Sequence, residues 1–189
     1  MSDTWSLRPA AFLDRDGTIC EEVGYLNHIS RLCIFPWAAA AIRRLNQAGV
    51  PVIVVTNQSG VARGLFPESL VEEVHRVMSE NLAASGAHVD AYYYCTHILA
   101  DQCDCRKPLP GLLHRAATEH AVDLARSFVV GDRYADVAMA HAAGGRGVLV
   151  LSGYGRGEYE HHRAEWPRQP DQVVEDLSQA VEFILKELA

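Results

Sequence analysis

Short apolar runs alternate along this chain with stretches whose apolar residues recur every three or four positions, the two periods that separate strands from amphipathic helices. Ala10 to Leu13 reads as a first strand. Trp37 to Ala48 reads as an alanine-rich helix stopped by Gly49, and Pro51 to Thr56 is a continuous apolar run of the kind buried on both faces of a parallel sheet. Pro67 opens a long helix with Leu70, Val71, Val74, Val77, Met78 and Leu82 on its apolar positions, ending near Gly86. Asp90 to Cys95 is a third strand, followed by a loop from Thr96 to Pro110 and a helix from Gly111 to His120. Ser127 to Gly131 is a fourth strand, Asp136 to Ala143 a short helix stopped by Gly144-Gly145, and Arg146 to Leu151 a fifth strand. A polar loop from Ser152 to Asp171 leads to a last helix, Leu177 to Leu188, with Leu177, Ala180, Val181, Ile184, Leu185 and Leu188 on one stripe. Strand alternating with helix predicts an α/β fold: a Rossmann-like, three-layer α/β/α sandwich around a mainly parallel sheet with right-handed crossovers.

Length and composition narrow this picture. At 189 residues and 49% hydrophobic, with no repeat, low-complexity stretch or linker, the chain is expected to form a single domain over residues 1–189. A net charge of -7 argues against a nucleic-acid-binding surface, so a phosphorylated ligand must be held by a local basic pocket. No apolar run of about 18 residues is present to span a bilayer. The amino-terminal Met1-Ser-Asp-Thr-Trp-Ser-Leu-Arg lacks the basic and apolar regions of an export signal, so a cytoplasmic protein without membrane partners is expected.

The chemistry begins where the first strand stops. Ala11 to Cys20 reads A-F-L-D-R-D-G-T-I-C, an apolar run that halts at two aspartates one residue apart. A strand delivering Asp14 and Asp16 to its carboxyl end puts two acids in the crevice where open α/β sheets bind ligands. Carboxylates that close repel unless a cation sits between them, which predicts a divalent metal with oxygen ligands. Three more strand ends carry Thr56-Asn57, Arg106-Lys107-Pro108, and Gly131-Asp132 with Asp136. Parallel strands gather these at one edge, and acids, a hydroxyl, an amide and cations around one point suit a transferring phosphoryl group.

These four segments, D-R-D-G-T, T-N-Q-S, R-K-P and G-D-R-Y-A-D, resemble in type and order the motifs of the haloacid dehalogenase (HAD) superfamily of phosphatases. The resemblance implies that Asp14 is a nucleophile forming an aspartyl-phosphate, and that Asp16 is first the general acid and then the base. It implies that Thr56 and Lys107 hold phosphate oxygens, that Mg²⁺ binds Asp14, Asp132 and the backbone carbonyl of Asp16, and that Asp136 orients those ligands. Neither position where such enzymes insert a cap domain has room here, so an essentially capless enzyme is expected.

A second metal is read from the cysteines. Cys95, His97, Cys103 and Cys105 offer three thiolates and one imidazole at loop spacing, a set that suits tetrahedral Zn²⁺ in a closed, structural site. Zinc there would order a loop without a core of its own and place Arg106 and Lys107 beside the substrate. Cys20 and Cys33 have no partner pattern and are read as packed thiols, and the remaining histidines as structural or exposed. The G-Y-G-R-G stretch from Gly153 to Gly157 is too weak a pattern to indicate phosphate binding.

D-R-D-G-T-I, E-V-G-Y-L at Glu22 to Leu26, T-N-Q-S-G-V-A-R-G at Thr56 to Gly64 and C-x-H…C-x-C-R-K-P together resemble the D-glycero-D-manno-heptose 1,7-bisphosphate 7-phosphatase family. Such enzymes release heptose 1-phosphate on the route to nucleotide-activated heptose. By that resemblance the contacts to a small phosphorylated sugar fall on Asp14, Arg15 and Asp16, on Glu22, Val23, Gly24 and Tyr25, on Thr56, Asn57, Gln58 and Ser59, and on Arg106 and Lys107. Arg133 joins Arg106 and Lys107 as a partner for a second phosphate. The histidinol-phosphate phosphatases share the zinc pattern and are the alternative; a zinc-stabilised module that only binds a phosphorylated ligand is the non-enzymatic one. This chain departs from the pattern in its short His97-to-Cys103 spacing, in Ile98 and in Ala135. A monomer is expected from the small size and missing cap.

Overall fold

The computed structural model describes residues 7–189; residues 1–6, where the reading for an export signal begins, lie outside the described residues. Six parallel strands form one sheet: β1 (Ala11–Leu13), β2 (Val52–Asn57), β3 (Ala91–Cys95), β4 (Phe128–Gly131), β5 (Arg146–Val150) and β6 (Gln172–Val174), in the order β3-β2-β1-β4-β5-β6. The first helices are α1 (Ala38–Gln47), α2 (Glu68–Ala84) and α3 (Gly111–His120). The later ones are α4 (Tyr134–Ala142), α5 (Gly155–His162) and α6 (Leu177–Leu188).

Alternation along the strands decides which layer each side chain joins. Ala11 and Leu13, Val52 and Val54, and Phe128 and Val130 pack on one face with the buried residues of α1 and α6 and with Met78 and Leu82 of α2. Phe12, Ile53, Val55 and Val129 pack on the other face with Leu112, Leu113 and Ala116 of α3 and Met139 and Ala140 of α4. Both faces are therefore covered, which is why the central strands read as unbroken apolar runs. No helix among the described residues is long and apolar enough to cross a membrane.

The sequence-based elements recur with three differences. The expected polar loop from Ser152 to Asp171 contains α5, whose Gly155-Arg-Gly-Glu-Tyr-Glu-His-His has no apolar stripe to reveal it. The sixth strand, β6, is only three residues at the sheet edge, too short for a period to show. Helix α4 starts at Tyr134 instead of Asp136, because the Asp136 carboxylate reaches back to accept the Arg133 N–H at 3.2 Å and caps the helix. Cys20 is packed as expected, but Cys33 is exposed.

The strand order places the reversal of direction between β1 and β4, the point at which such sheets leave a crevice at their carboxyl ends. Leu13 of β1 is in register with Val54 and Val130, so Asp14, Thr56 and Asp132 emerge beside one another.

Candidate active site

Asp14 is fixed by its backbone, its N–H donating to the Val130 carbonyl at 2.8 Å, and its side chain is buried at the floor of a cleft. Its Oδ1 accepts the Arg15 N–H at 2.7 Å and the Lys107 ammonium at 2.8 Å. The same Lys107 Nζ donates to Asp136 Oδ1 at 2.6 Å, so one buried cation bridges two buried acids. Burial alone would drive the ammonium toward neutrality, but Asp136 and Asp14 outweigh it and hold Lys107 protonated well above the usual lysine range.

Lys107 comes from the loop after β3, and Asn57 at the end of β2 fixes it there. The Asn57 amide accepts the Lys107 N–H at 3.1 Å and donates to the Lys107 carbonyl at 3.4 Å. Asn57 lines the cleft and grips the backbone of the cation at the same time.

Asp14, Asp132 and Asp136 are all buried, with a carboxylate oxygen from each lying within 4.8 Å of the others. Burial raises Asp14 to about 7, opposed by Lys107 and helped by Asp136 and Asp16. Asp132 is raised to about 8 by burial and then by Asp14 and Asp136. Asp132 Oδ2 accepts the Tyr154 N–H at 2.8 Å, whereas its buried Oδ1 has no partner among the described residues. Asp136 gives its oxygens to Lys107 and to the Arg133 N–H. The oxygens left over belong to Asp14 and Asp132. An all-oxygen donor set with excess negative charge and an unsatisfied oxygen fits a hard divalent cation such as Mg²⁺.

Two glycines make this packing possible. A Cβ on Gly17, whose φ is +83°, would overlap the Asp132 carboxylate, and a Cβ on Gly131 would overlap that of Asp136. The glycines of the D-x-D-G and G-D segments therefore stand where a carboxylate passes against the backbone.

Asp16 projects toward the cleft, held by Arg15 and by Gln58, whose Nε2 donates to Asp16 Oδ2 at 2.8 Å and to Thr56 Oγ1 at 2.9 Å. Glu22, Gly24, Tyr25 and Ser59 line the cleft, and Glu22 accepts the Gly24 N–H while burial raises its carboxyl. Arg106 and Arg133 face the same space. The structure does not bring every expected contact to the cleft. Val23 is not among the lining residues, and Arg15 is almost wholly buried behind Asp16. Conversely, Tyr154 lines the cleft with its ring 4.0 Å from the Arg133 guanidinium, in the G-Y-G-R-G stretch that carried no signal of its own. Its role depends on the chain path after β5, which no local pattern encodes.

Away from the cleft, the Cys95, Cys103 and Cys105 thiols and the His97 imidazole converge. Cys95 Sγ lies 3.2 Å from Cys105 Sγ and 3.7 Å from Cys103 Sγ, and His97 Nδ1 lies 3.3 Å from Cys105 Sγ. A tetrahedron with zinc–sulfur bonds of about 2.3 Å has edges of about 3.8 Å, so the four donors already stand close to a zinc-sized shell. Arg106, next in the chain after Cys105, donates to the His97 carbonyl at 3.1 Å.

Comparison with known proteins gives the family. The haloacid dehalogenase-like hydrolase family profile matches residues 19–141, and that of HAD-hydrolase-like proteins matches residues 104–180. The D-glycero-D-manno-heptose-1,7-bisphosphate 7-phosphatase of Thermosynechococcus vestitus is 42% identical over 96% of this chain and 98% of its own. The D-glycero-beta-D-manno-heptose-1,7-bisphosphate 7-phosphatase of Escherichia coli K12 is 38% identical over 92% of this chain and 93% of its own. Among solved structures, the D,D-heptose 1,7-bisphosphate phosphatase of B. bronchiseptica, complexed with magnesium and phosphate, superposes with a TM-score of 0.87 at 37% identity, covering 95% of this chain and 99% of that one. This chain is a HAD-like phosphoric monoester hydrolase and belongs to the D-glycero-D-manno-heptose 1,7-bisphosphate 7-phosphatase family.

Proposed function

We propose that residues 1–189 act as one domain that hydrolyses the 7-phosphate of D-glycero-D-manno-heptose 1,7-bisphosphate to heptose 1-phosphate and orthophosphate through an aspartyl-phosphate on Asp14. The observation that carries this reading is Lys107 bridging Asp14 and Asp136 at the floor of the cleft. A nucleophilic carboxylate must approach an anionic phosphoryl group, and a buried cation 2.8 Å from its oxygen offsets that repulsion.

Asp14 attacks phosphorus, forming the acyl phosphate as the ester bond to the sugar breaks. Asp16 gives a proton to the departing alkoxide and then accepts one from the water that attacks phosphorus and releases Asp14. The Thr56 hydroxyl and Lys107 Nζ hold the phosphoryl oxygens through both steps. Mg²⁺ held by Asp14, Asp132 and the Asp16 carbonyl would supply charge neutralisation of the phosphoryl group, with Asp136 orienting the set through Lys107. Arg106 and Arg133 face the cleft beyond Lys107 and suit the second phosphate of a bisphosphate. That second anion, and the names of the relatives, favour the heptose reading over histidinol phosphate.

Assayed side by side with Mg²⁺ on both anomers of the heptose 1,7-bisphosphate, fructose 1,6-bisphosphate and histidinol phosphate, the enzyme is expected to prefer one heptose anomer. Its kcat/KM there should exceed that for histidinol phosphate at least about 100-fold. A preference for histidinol phosphate would overturn the substrate assignment.

The Cys95, His97, Cys103 and Cys105 cluster is read as a structural zinc site, and a thiolate ligand set of this kind suits a reducing compartment, which favours a cytoplasmic enzyme. The small size and the missing cap suit a monomer. Metal analysis is expected to give about one Zn²⁺ per chain that survives removal of Mg²⁺ and is lost in Cys103→Ser. Zinc-free protein whose cysteines alkylate freely would contradict it.

A further inference from the structure

Arg15 is the residue between the two aspartates, yet it is 1% exposed and does not line the cleft. Among the described residues, all of its side-chain hydrogen bonds go to one neighbour. Nε donates to Asp16 Oδ1 at 3.1 Å, and Nη2 to Oδ1 at 3.0 Å and Oδ2 at 2.7 Å. Gln58 Nε2 reaches the same Oδ2 at 2.8 Å from the other side, and the Cys20 thiol lies 3.6 Å from Oδ1. Asp16 is therefore gripped by a planar fork and an amide, whereas its other face opens on the cleft.

Burying a guanidinium costs several kcal/mol in desolvation that a single ion pair seldom returns, so fold stability alone is a poor reason for this arrangement. Fixing a carboxylate in one rotamer is a better one, because proton transfer is efficient only when the acid sits within hydrogen-bond reach of the leaving oxygen. We infer that Arg15, with Gln58, is a positioning residue that locks the Asp16 carboxyl in the orientation from which it protonates the departing alkoxide. This inference rests on the phosphatase reading above and extends it from the acid to what aims it. In the step concerned, the bond from phosphorus to the sugar oxygen breaks, the bond from Asp14 to phosphorus forms, and the Asp16 proton passes to the sugar oxygen. A 4-nitrophenolate leaving group departs as a stable anion and needs no such proton.

The experiment compares kcat/KM for the heptose 1,7-bisphosphate and for 4-nitrophenyl phosphate in wild type, Arg15→Lys and Arg15→Met. That constant covers events up to loss of the leaving group and is blind to the later release of phosphate. With the fork removed, the value for the sugar phosphate is expected to fall at least about 30-fold and that for the aryl phosphate less than about 3-fold, a loss of part of the roughly 10²- to 10⁴-fold that general acid catalysis supplies. Arg15→Lys keeps the buried charge and loses the fork. It serves if Arg15→Met does not fold. Equal losses on both substrates in folded variants would overturn the inference, as would equal retention. A wild type inactive on the sugar phosphate would instead sink the reading of function on which it stands.

Discussion

Asp14→Asn is expected to lower turnover at least about 10⁴-fold, since removing a nucleophile leaves only what binding and electrostatics can supply. The same substitution should leave the fold intact. Asp14, Asp132 and Asp136 crowd their oxygens within 4.8 Å, and burial with mutual repulsion raises Asp14 to about 7 and Asp132 to about 8. An isosteric amide removes one of these repelling groups while keeping an oxygen able to accept from Lys107 and the Arg15 N–H. Thermal unfolding without Mg²⁺ should therefore occur at the wild-type temperature or above. The pairing of lost activity with kept stability is what separates a chemical role from a structural one. A binding module, by contrast, predicts that this carboxylate is replaceable. Turnover within tenfold of wild type would refute the nucleophile assignment.

Lys107→Met carries the second large effect, and here both properties are expected to fall. Lys107 is the buried counter-charge for Asp14 at 2.8 Å and for Asp136 at 2.6 Å. Truncating one member of such a buried group leaves the others uncompensated, which costs about 3–5 kcal/mol. Urea unfolding should show the loss as a lower midpoint at unchanged slope. Turnover should drop about 10³-fold, the scale seen when an electrostatic contact to a developing charge is removed. Arg in place of Lys would keep the charge but not the fit of one ammonium between two carboxylates, so it should not restore activity. Wild-type stability in the Met variant would mean that the bridge is not what holds the floor of the cleft together.

How far the residues foretold this structure depends on the range of the signal. The central strands announce themselves because both faces of the sheet are covered, and the glycines after helices and strands mark where the chain turns. The grouping of Asp14, Thr56 and Asp132 was legible because parallel strands bring their carboxyl ends to one edge, and the reversal between β1 and β4 leaves the crevice there. What stayed hidden depended on side-chain paths or on contacts far apart in sequence. Arg15 sits inside the D-x-D-G segment, and nothing local tells that its guanidinium turns back to Asp16. Asn57 reads as a cleft residue, and only the fold shows both of its amide atoms on the Lys107 backbone fifty residues away. Tyr154 enters the cleft through the segment between β5 and β6, where α5 has no apolar periodicity to betray it.

The account turns on a covalent bond between the Asp14 carboxylate and phosphorus. It is tested most directly by quenching the enzyme in acid during turnover and weighing the peptide that contains Asp14. The bond predicts one added phosphoryl group on that residue, discharged by hydroxylamine and missing from Asp14→Asn. Turnover with no phosphoryl adduct at any quench time, or an adduct on another side chain, would contradict it.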